Sequence, residues 1–229
     1  MDYFDGLLDE TSALLSDFPR KEYPYGKKWQ DVGRNSLVLK RDEAFELDGV
    51  GYNLVTARDI GESGITVIGR ELSQISGETR FARVSLLQMN GFDDEQKAYD
   101  TIRKVEYAKY HYFPKGFMVR TVSTSHKEAI RVTKEALKSG ITFEKVGGLL
   151  ISKYLENPSV RAARIIYVTE QSADFEQLEK IAQRNYEITE TLNHIMQNVQ
   201  FDCDVCKLKK ICDEVEGLRE LHFKTAGMM

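Results

Sequence analysis

The amino-acid sequence predicts an α+β fold, in which a mixed sheet from the first half of the chain packs with helices from the second half. Short β-branched or alternating segments dominate residues 36–89, and longer segments with apolar residues at helical spacing dominate after residue 94. Strands that precede helices without strict alternation are typical of this class. All three cysteines lie within ten positions of one another, which marks a separate, cysteine-rich C-terminal segment.

The first 90 residues are predicted to form one helix followed by short strands. Residues 3–18 have an amphipathic helical pattern. Residues 19–34 contain two prolines and two glycines, which indicates an extended connection. The strand segments are rich in β-branched residues and are separated by Gly, Asp and Ser. They are residues 36–47, 52–57, 65–68 and 83–89.

The rest of the chain is predicted to be mainly helical. A capping-box pattern of Ser125 and Glu128 predicts a helix that ends at Gly140. The other predicted helices are residues 94–111, 143–155 and 173–198, and the strands are residues 117–122 and 161–169. These elements suggest three units: an N-terminal helix and connection (1–34), an α+β domain (35–200) and the cysteine-bearing segment (201–229).

The composition restricts the classes of protein to which the chain can belong. Hydrophobic residues make up 41% of the 229, enough for a packed core. No apolar run approaches the roughly 20 residues that a membrane-spanning helix needs. The N-terminal residues MDYFDGLLDE are acidic where a signal peptide would be basic, so we expect a cytoplasmic protein. The net charge of −4 and the scattered basic residues argue against a nucleic-acid partner.

The cysteines have a spacing that is typical of metal ligands. Cys203 and Cys206 form a C-x-x-C pair, which places two thiolates on one tight turn; Cys212 follows, and His222 lies ten positions later. A clustered, odd set of cysteines in a reducing compartment favours ligands over disulfides or core thiols. The spacing fits both zinc and an iron–sulfur cluster. His194, on the long helix, is interpreted as a solvated or hydrogen-bonded histidine rather than a ligand.

Five short passages resemble acetyl-CoA synthase, the carbonyl-condensing β subunit of the carbon monoxide dehydrogenase/acetyl-CoA synthase complex. They are YNLV at 52–55, ITVIG at 65–69, IRVTKEA at 130–136, GLLISK at 148–153 and IIYVTE at 165–170. Their order and spacing, followed by the C-x-x-C pair and a third cysteine, are similar to that family's middle domain and the start of its metal-bearing domain. The resemblance extends from about residue 37 to residue 222.

The resemblance implies an iron–sulfur cluster, most simply [4Fe–4S]. In that family a C-x-x-C pair, a third cysteine and a fourth ten positions later hold the iron–sulfur part of the nickel-containing A-cluster. The first three positions correspond to Cys203, Cys206 and Cys212, with a shorter gap before the third, and the fourth corresponds to His222. We therefore expect these four residues to bind the cluster, with zinc as the alternative occupant.

The chain also departs from the family's pattern. The family's downstream Cys-Gly-Cys element, which binds nickel, has no counterpart in these 229 residues, and neither does its amino-terminal domain. The family's coenzyme A-binding tryptophan corresponds to Ala129, beside Arg131, while Trp29 lies outside the resemblance. The resemblance therefore implies a truncated homologue that does not complete the acetyl-CoA synthase reaction alone.

The function implied by the resemblance is that of an iron–sulfur subunit or accessory protein in anaerobic one-carbon or corrinoid metabolism. The expected partner is a corrinoid or CO dehydrogenase-type subunit, or a second copy of the chain, with no nucleic acid and no membrane. Two alternatives stay open. One is a zinc-stabilised structural interaction module, and the other is a partial acetyl-CoA synthase whose nickel site is completed by another chain.

Overall fold

The computed structural model describes residues 3–26, 37–90, 95–111, 114–121, 126–197, 206–215 and 217–225. The strands are β1 Arg20–Pro24, β2 Glu43–Thr56, β3 Gly64–Ile68, β4 Thr79–Met89, β5 Phe117–Thr121, β6 Lys127–Thr133 and β7 Val160–Val168. The helices are α1 Asp5–Leu15, α2 Glu95–Tyr107, α3 Lys134–Lys138, α4 Phe143–Leu155, α5 Phe175–Met196, α6 Lys209–Glu214 and α7 Leu218–Thr225. None of the described helices combines the length and the apolar character needed to cross a bilayer.

The strands form one mixed sheet in the order β1-β3-β7-β4-β2-β6-β5. β2 runs parallel to β4 and β3 runs parallel to β7, whereas the other neighbouring pairs are antiparallel. The mixed sheet and its packed helices confirm the α+β class. The expected division of the chain was wrong in one respect, because β5, β6 and β7 come from the second half and the chain returns to the sheet between helices.

β2 is one continuous strand where the sequence predicted two. Gly and Asp near residues 48–51 suggested a break, but the glycines serve close packing within the strand. A Cβ on Gly49 would lie 1.7 Å from the carbonyl oxygen of Phe81 on β4, and a Cβ on Gly51 would lie 2.1 Å from Oε2 of Glu128 on β6. Glycine therefore permits neighbouring groups to approach the backbone of β2.

Residues 127–133 form β6, so the helix predicted to start near Ser125 was wrong over most of its length. Ser125 itself lies outside the described residues. Glu128, Ile130 and Val132 are buried in alternation, the period of a strand, and β6 pairs antiparallel with β2. Glu128 is consequently a core residue rather than part of a capping box.

The helix in this region is the short α3, and its boundaries have local causes. The hydroxyl of Thr133 accepts a hydrogen bond from the N–H of Ala136 and so caps the first turn. Gly140 follows the helix with φ of +75°, which confirms its predicted role after the C-cap. α4 has the predicted bounds, and α2, α5 and β7 lie within a few residues of their predicted positions.

Helices cover both faces of the sheet. Successive side chains of a strand point to opposite faces. The hydroxyl of Tyr52 on β2 lies 3.2 Å from that of Thr11 on α1, whereas Asn53 accepts a hydrogen bond from Tyr154 on α4 at 2.8 Å. α1 and α4 therefore lie on opposite faces. α5 packs against α1, β2 and β4, which gives the domain three layers.

A buried ion pair lies in the core between β4 and β6. Arg83 donates from Nε and Nη2 to the carboxylate of Glu128 at 2.8 Å, and the two side chains are 2% and 1% exposed. Nη1 of Arg83 donates to Asn53 and Ser85. Burial lowers the pKa of Arg83, but the attraction of Glu128 outweighs this effect and holds the pKa well above its ordinary value. The guanidinium therefore stays charged inside the core, where it needs these partners.

β6 accompanies only the first half of β2. Beyond Gly51, whose N–H donates to the carbonyl of His126, β2 has no described strand on that side. Asn185 of α5 donates to the carbonyl of Asn53 at 2.7 Å, and the Asn53 side chain donates to Glu106 of α2 at 2.8 Å. The Asn185 side chain thus satisfies one backbone group of β2 where no described strand lies.

Candidate metal centre

The C-terminal helices α6 and α7 pack against α5. Ile211 of α6 and both Leu218 and Leu221 of α7 are buried in the same apolar cluster as Ile195 of α5. Between the two helices, Gly217 has φ of +83°, a backbone conformation that favours glycine. The cysteine-bearing segment is therefore anchored to the long helix by ordinary apolar packing.

A cavity of about 180 Å³ lies between the last turns of α5 and these two helices. Four side chains with soft-metal donor atoms line it. Cys206 lies just before α6, Cys212 within α6, His222 on α7 and His194 near the end of α5. The apolar part of the lining consists of Ile195, Leu208 and Phe223. The cavity therefore combines sulfur and imidazole donors with a partly apolar wall.

The structure brings three of the four predicted ligands to one place. Cys206, Cys212 and His222 line the same cavity, while Cys203 lies outside the described residues. Within the described part of the chain, no three His, Cys, Asp or Glu side chains are gathered closely enough to hold a metal ion. The described residues therefore do not support a formed metal site in this segment, although they place its candidate donors around one space.

His194 is the cavity residue that the sequence analysis did not select. It is half-buried, its Nδ1 atom is buried, and it shares one face of α5 with Thr191 and Ile195, which also line the cavity. No spacing rule links it to Cys206, because the two residues meet only through the packing of α6 and α7 on α5. A histidine in the last turn of a helix is otherwise an ordinary sequence feature.

Two cationic side chains line the cavity beside its donors. Arg219 pairs with Asp213 at 3.2 Å, and its guanidinium carbon lies 5.8 Å from the ring centroid of Phe223. Lys209 also lines the cavity. Asp213 also lines the cavity and already neutralises Arg219, so Lys209 is the remaining basic side chain of the lining.

A larger cavity of about 440 Å³ lies against β2, β5 and β6. It is lined by Ala129, which the resemblance aligns with the family's coenzyme A-binding tryptophan. Arg131 pairs with Glu46 at 2.7 Å and with Glu43 at 3.3 Å, and its hydrogen bond lowers the pKa of Glu46. Arg120 pairs with Glu46 as well, at 3.1 Å. Because carboxylates already neutralise these arginines, they are poorly suited to hold the phosphates of coenzyme A.

The mixed sheet and the helices packed on it define an α+β protein. Residues 35–173 match the family described as the CO dehydrogenase/acetyl-CoA synthase complex beta subunit, and the chain belongs to this family. No curated protein matches the chain. The matched residues include β2 to β7 and α2 to α4, so the resemblance is confirmed for the sheet domain, and the cysteines lie beyond the match.

Proposed function

We propose that this protein is an iron–sulfur protein that acts as a subunit or accessory within anaerobic one-carbon metabolism. Cys203, Cys206 and Cys212 would supply thiolate ligands, and a histidine, for which the sequence nominates His222, would take the fourth position. The family supports an assembly role, because its members are described as a subunit of a complex. The expected partner is a corrinoid or CO dehydrogenase-type subunit, or a second copy of the chain.

The observation that carries the proposal is the shared cavity. Cys206, Cys212 and His222 are brought to one space by α6, α7 and the end of α5, with cations beside it. Thiolate and imidazole are the donors that iron–sulfur clusters use. Such a cluster, when bound, supplies one-electron transfer. The residues of this chain would hold it and shield it with Leu208 and Phe223.

Metal analysis of anaerobically purified protein tests the proposal. We expect a brown protein with iron and acid-labile sulfide in fixed ratio, and near-complete loss of both in Cys206→Ser. Lys207→Ser, a change at the exposed neighbouring residue, is the matched control and should retain them. Full metal content in Cys206→Ser would refute the assignment.

Zinc is the second candidate, and a specific observation favours it. Two cysteines and two histidines line the cavity, and zinc accepts that combination in structural sites. A colourless protein with one zinc per chain, lost in Cys206→Ser, would identify a structural interaction module in place of a redox protein.

The third candidate, a partial acetyl-CoA synthase completed by another chain, can be tested directly. We expect no acetyl-CoA from CO, a methyl donor and coenzyme A when the isolated chain is supplied with nickel. Joining methyl and carbonyl groups needs nickel with open coordination positions and dedicated soft ligands, and the three cysteines are already assigned. Nickel-dependent product from the pure chain would contradict this expectation.

A further inference from the structure

A third cavity, of about 120 Å³, lies between α2 and α5. Gly51 and His126 line it at the point where β6 begins beside β2. None of the described residues that line it also lines the cavity of the candidate metal centre. At roughly 30 Å³ for a water molecule in the liquid, this volume suits a ligand of about four non-hydrogen atoms.

Three tyrosines are among the described residues that line this cavity: Tyr107, Tyr110 and Tyr186. The rings of Tyr107 and Tyr110 have centroids 6.0 Å apart and are tilted by 46°, so they form an angled pair. The face of an aromatic ring carries a negative potential and attracts a cation within about 6 Å of its centroid. The aromatic part of the lining therefore favours a positively charged ligand over an anion.

Two carboxylates line the cavity, one on α2 and one on α5. Glu106 accepts a hydrogen bond from the amide of Asn53 at 2.8 Å, and Glu190 accepts one from the amide of Asn193 at 2.9 Å. These amides orient the carboxylates without neutralising them. Arg103 is the one arginine or lysine among the described lining residues, and its exposed side chain is screened by solvent. The described lining therefore carries an excess of negative charge.

The carboxylate of Glu106 is held by a network that extends into the core. The Asn53 side chain that donates to Glu106 also accepts from Arg83 at 3.1 Å and from Tyr154 at 2.8 Å. All three of these partners are buried, so the amide of Asn53 has a fixed orientation. A carboxylate that is already oriented loses little conformational entropy when a ligand binds.

The lining residues also include two buried polar atoms that have no hydrogen-bond partner among the described residues. They are Oδ1 of Asn193 and Nδ1 of His126. Because the amide nitrogen of Asn193 donates to Glu190, Oδ1 is the atom that lacks a donor. A buried acceptor without a donor is destabilising, and a ligand with an N–H group would satisfy it. Burial lowers the pKa of His126, so its imidazole adds no positive charge at pH 7.

We propose that this cavity binds a small primary alkylammonium ion. The ammonium group would be attracted by Glu106 and Glu190 and would donate to Oδ1 of Asn193, while the alkyl chain would contact the tyrosine rings. A carboxylate of the same size would be repelled by the lining, and an alcohol would gain no attraction between charges. The inference needs no metal, so it goes beyond the proposed function and is independent of it.

The test is an NMR titration of the full chain with n-propylammonium. 1-Propanol and acetate have the same number of non-hydrogen atoms and serve as the neutral and anionic comparisons. We expect a Kd of about 1 mM for n-propylammonium, which is within the limit for a ligand of this size. 1-Propanol should bind at least 10-fold more weakly, and acetate should not bind. The largest shifts should occur in the side-chain signals of Tyr186 and Asn193.

Two substitutions remove the charges of the cavity and keep its hydrogen bonds. Glu106→Gln and Glu190→Gln retain an oxygen that can accept from Asn53 or Asn193. Each should weaken the binding of n-propylammonium by about 3–10-fold and leave that of 1-propanol unchanged. Glu176→Gln changes an exposed glutamate on α5 that is not among the described lining residues, and this matched control should bind as the parent does.

Three results would overturn the inference. One is equal affinity of the parent for n-propylammonium and 1-propanol, and another is parent-like affinity in both glutamine variants. The third is the absence of any shift at about 20 mM n-propylammonium, well above the expected Kd, which would leave water as the occupant of the cavity. If a glutamine variant fails to fold, the comparison of the three ligands on the parent still decides. None of these results changes the test of the metal centre.

Discussion

Removing the carboxylate of Glu128 should be among the most damaging single changes in the sheet domain. Glu128→Ala leaves the guanidinium of Arg83 buried, with the bonds from Nε and Nη2, both 2.8 Å in the parent, unmade. Only the Nη1 bonds to Asn53 and Ser85 would persist. Because the pair is 2% and 1% exposed, the guanidinium would lose its partner in surroundings that solvate a charge poorly.

The expected loss of unfolding free energy is about 3–5 kcal/mol, the range for breaking one side of a buried ion pair. That is a large share of the roughly 5–15 kcal/mol that stabilises a typical protein. With a urea m-value of about 2–3 kcal/mol/M, the unfolding midpoint should fall by roughly 1–2.5 M. Equilibrium urea unfolding, followed by circular dichroism, measures this shift.

Two further variants test whether the loss of stability comes from the unpaired buried charge. Glu10→Ala removes the partner of Arg184 in an exposed pair, with side chains 43% and 39% exposed, and should cost less than about 1 kcal/mol. The double change Arg83→Met with Glu128→Met removes both charges and should recover most of the loss. The reasoning is refuted if Glu128→Ala costs less than about 1 kcal/mol, or if the double variant is no more stable than the single one.

Other predictions concern two adjacent glycines and one histidine. Gly147→Ala should lower the free energy of unfolding by about 1–3 kcal/mol, because its Cβ would lie 2.7 Å from Cγ1 of Ile65. A Cβ on Gly148 would have nothing within 4 Å, so Gly148→Ala should stabilise α4 by about 0.5–1 kcal/mol. Thermal unfolding of the two variants compares them, and equal effects would contradict the packing argument. Burial lowers the pKa of His126, so stability should be lost as pH falls below about 6.5 towards the folded-state pKa. An NMR titration of the His126 ring with a midpoint at or above about 6.5 would contradict this expectation.

Local patterns predicted the elements whose boundaries have local causes. α4 begins after Thr142, whose side chain accepts from the N–H of Lys145, and a proline follows its end at position 158. β6 was misjudged because Glu128 fits a capping box, while its actual partner, Arg83, lies 45 residues earlier on another strand. A short stretch of sequence does not include both residues of this pair, so a local pattern cannot predict that Glu128 lies on a buried strand.

Local sequence patterns are limited in the same way when they are used to predict the candidate metal site. The sequence grouped Cys206, Cys212 and His222 as ligands; the three line one cavity, but within the described residues no three donors lie close enough to hold a metal ion. His194 joins them only because Leu218 and Leu221 pack α7 against α5. Apolar residues at helical spacing predict that a helix will be packed, but they do not identify the helix against which it packs.

The hydrogen bond from Asn185 to the backbone of β2 has a consequence for the order in which the chain can fold. Asn185, which satisfies the carbonyl of Asn53, follows it by 132 residues. During synthesis the latter half of β2 therefore emerges long before its covering helix, with backbone groups available to strands of other chains. A ribosome-bound chain should remain prone to mispairing at this strand until α5 has been released, so a chaperone that shields nascent β2 would raise the yield of native protein more than one acting after release.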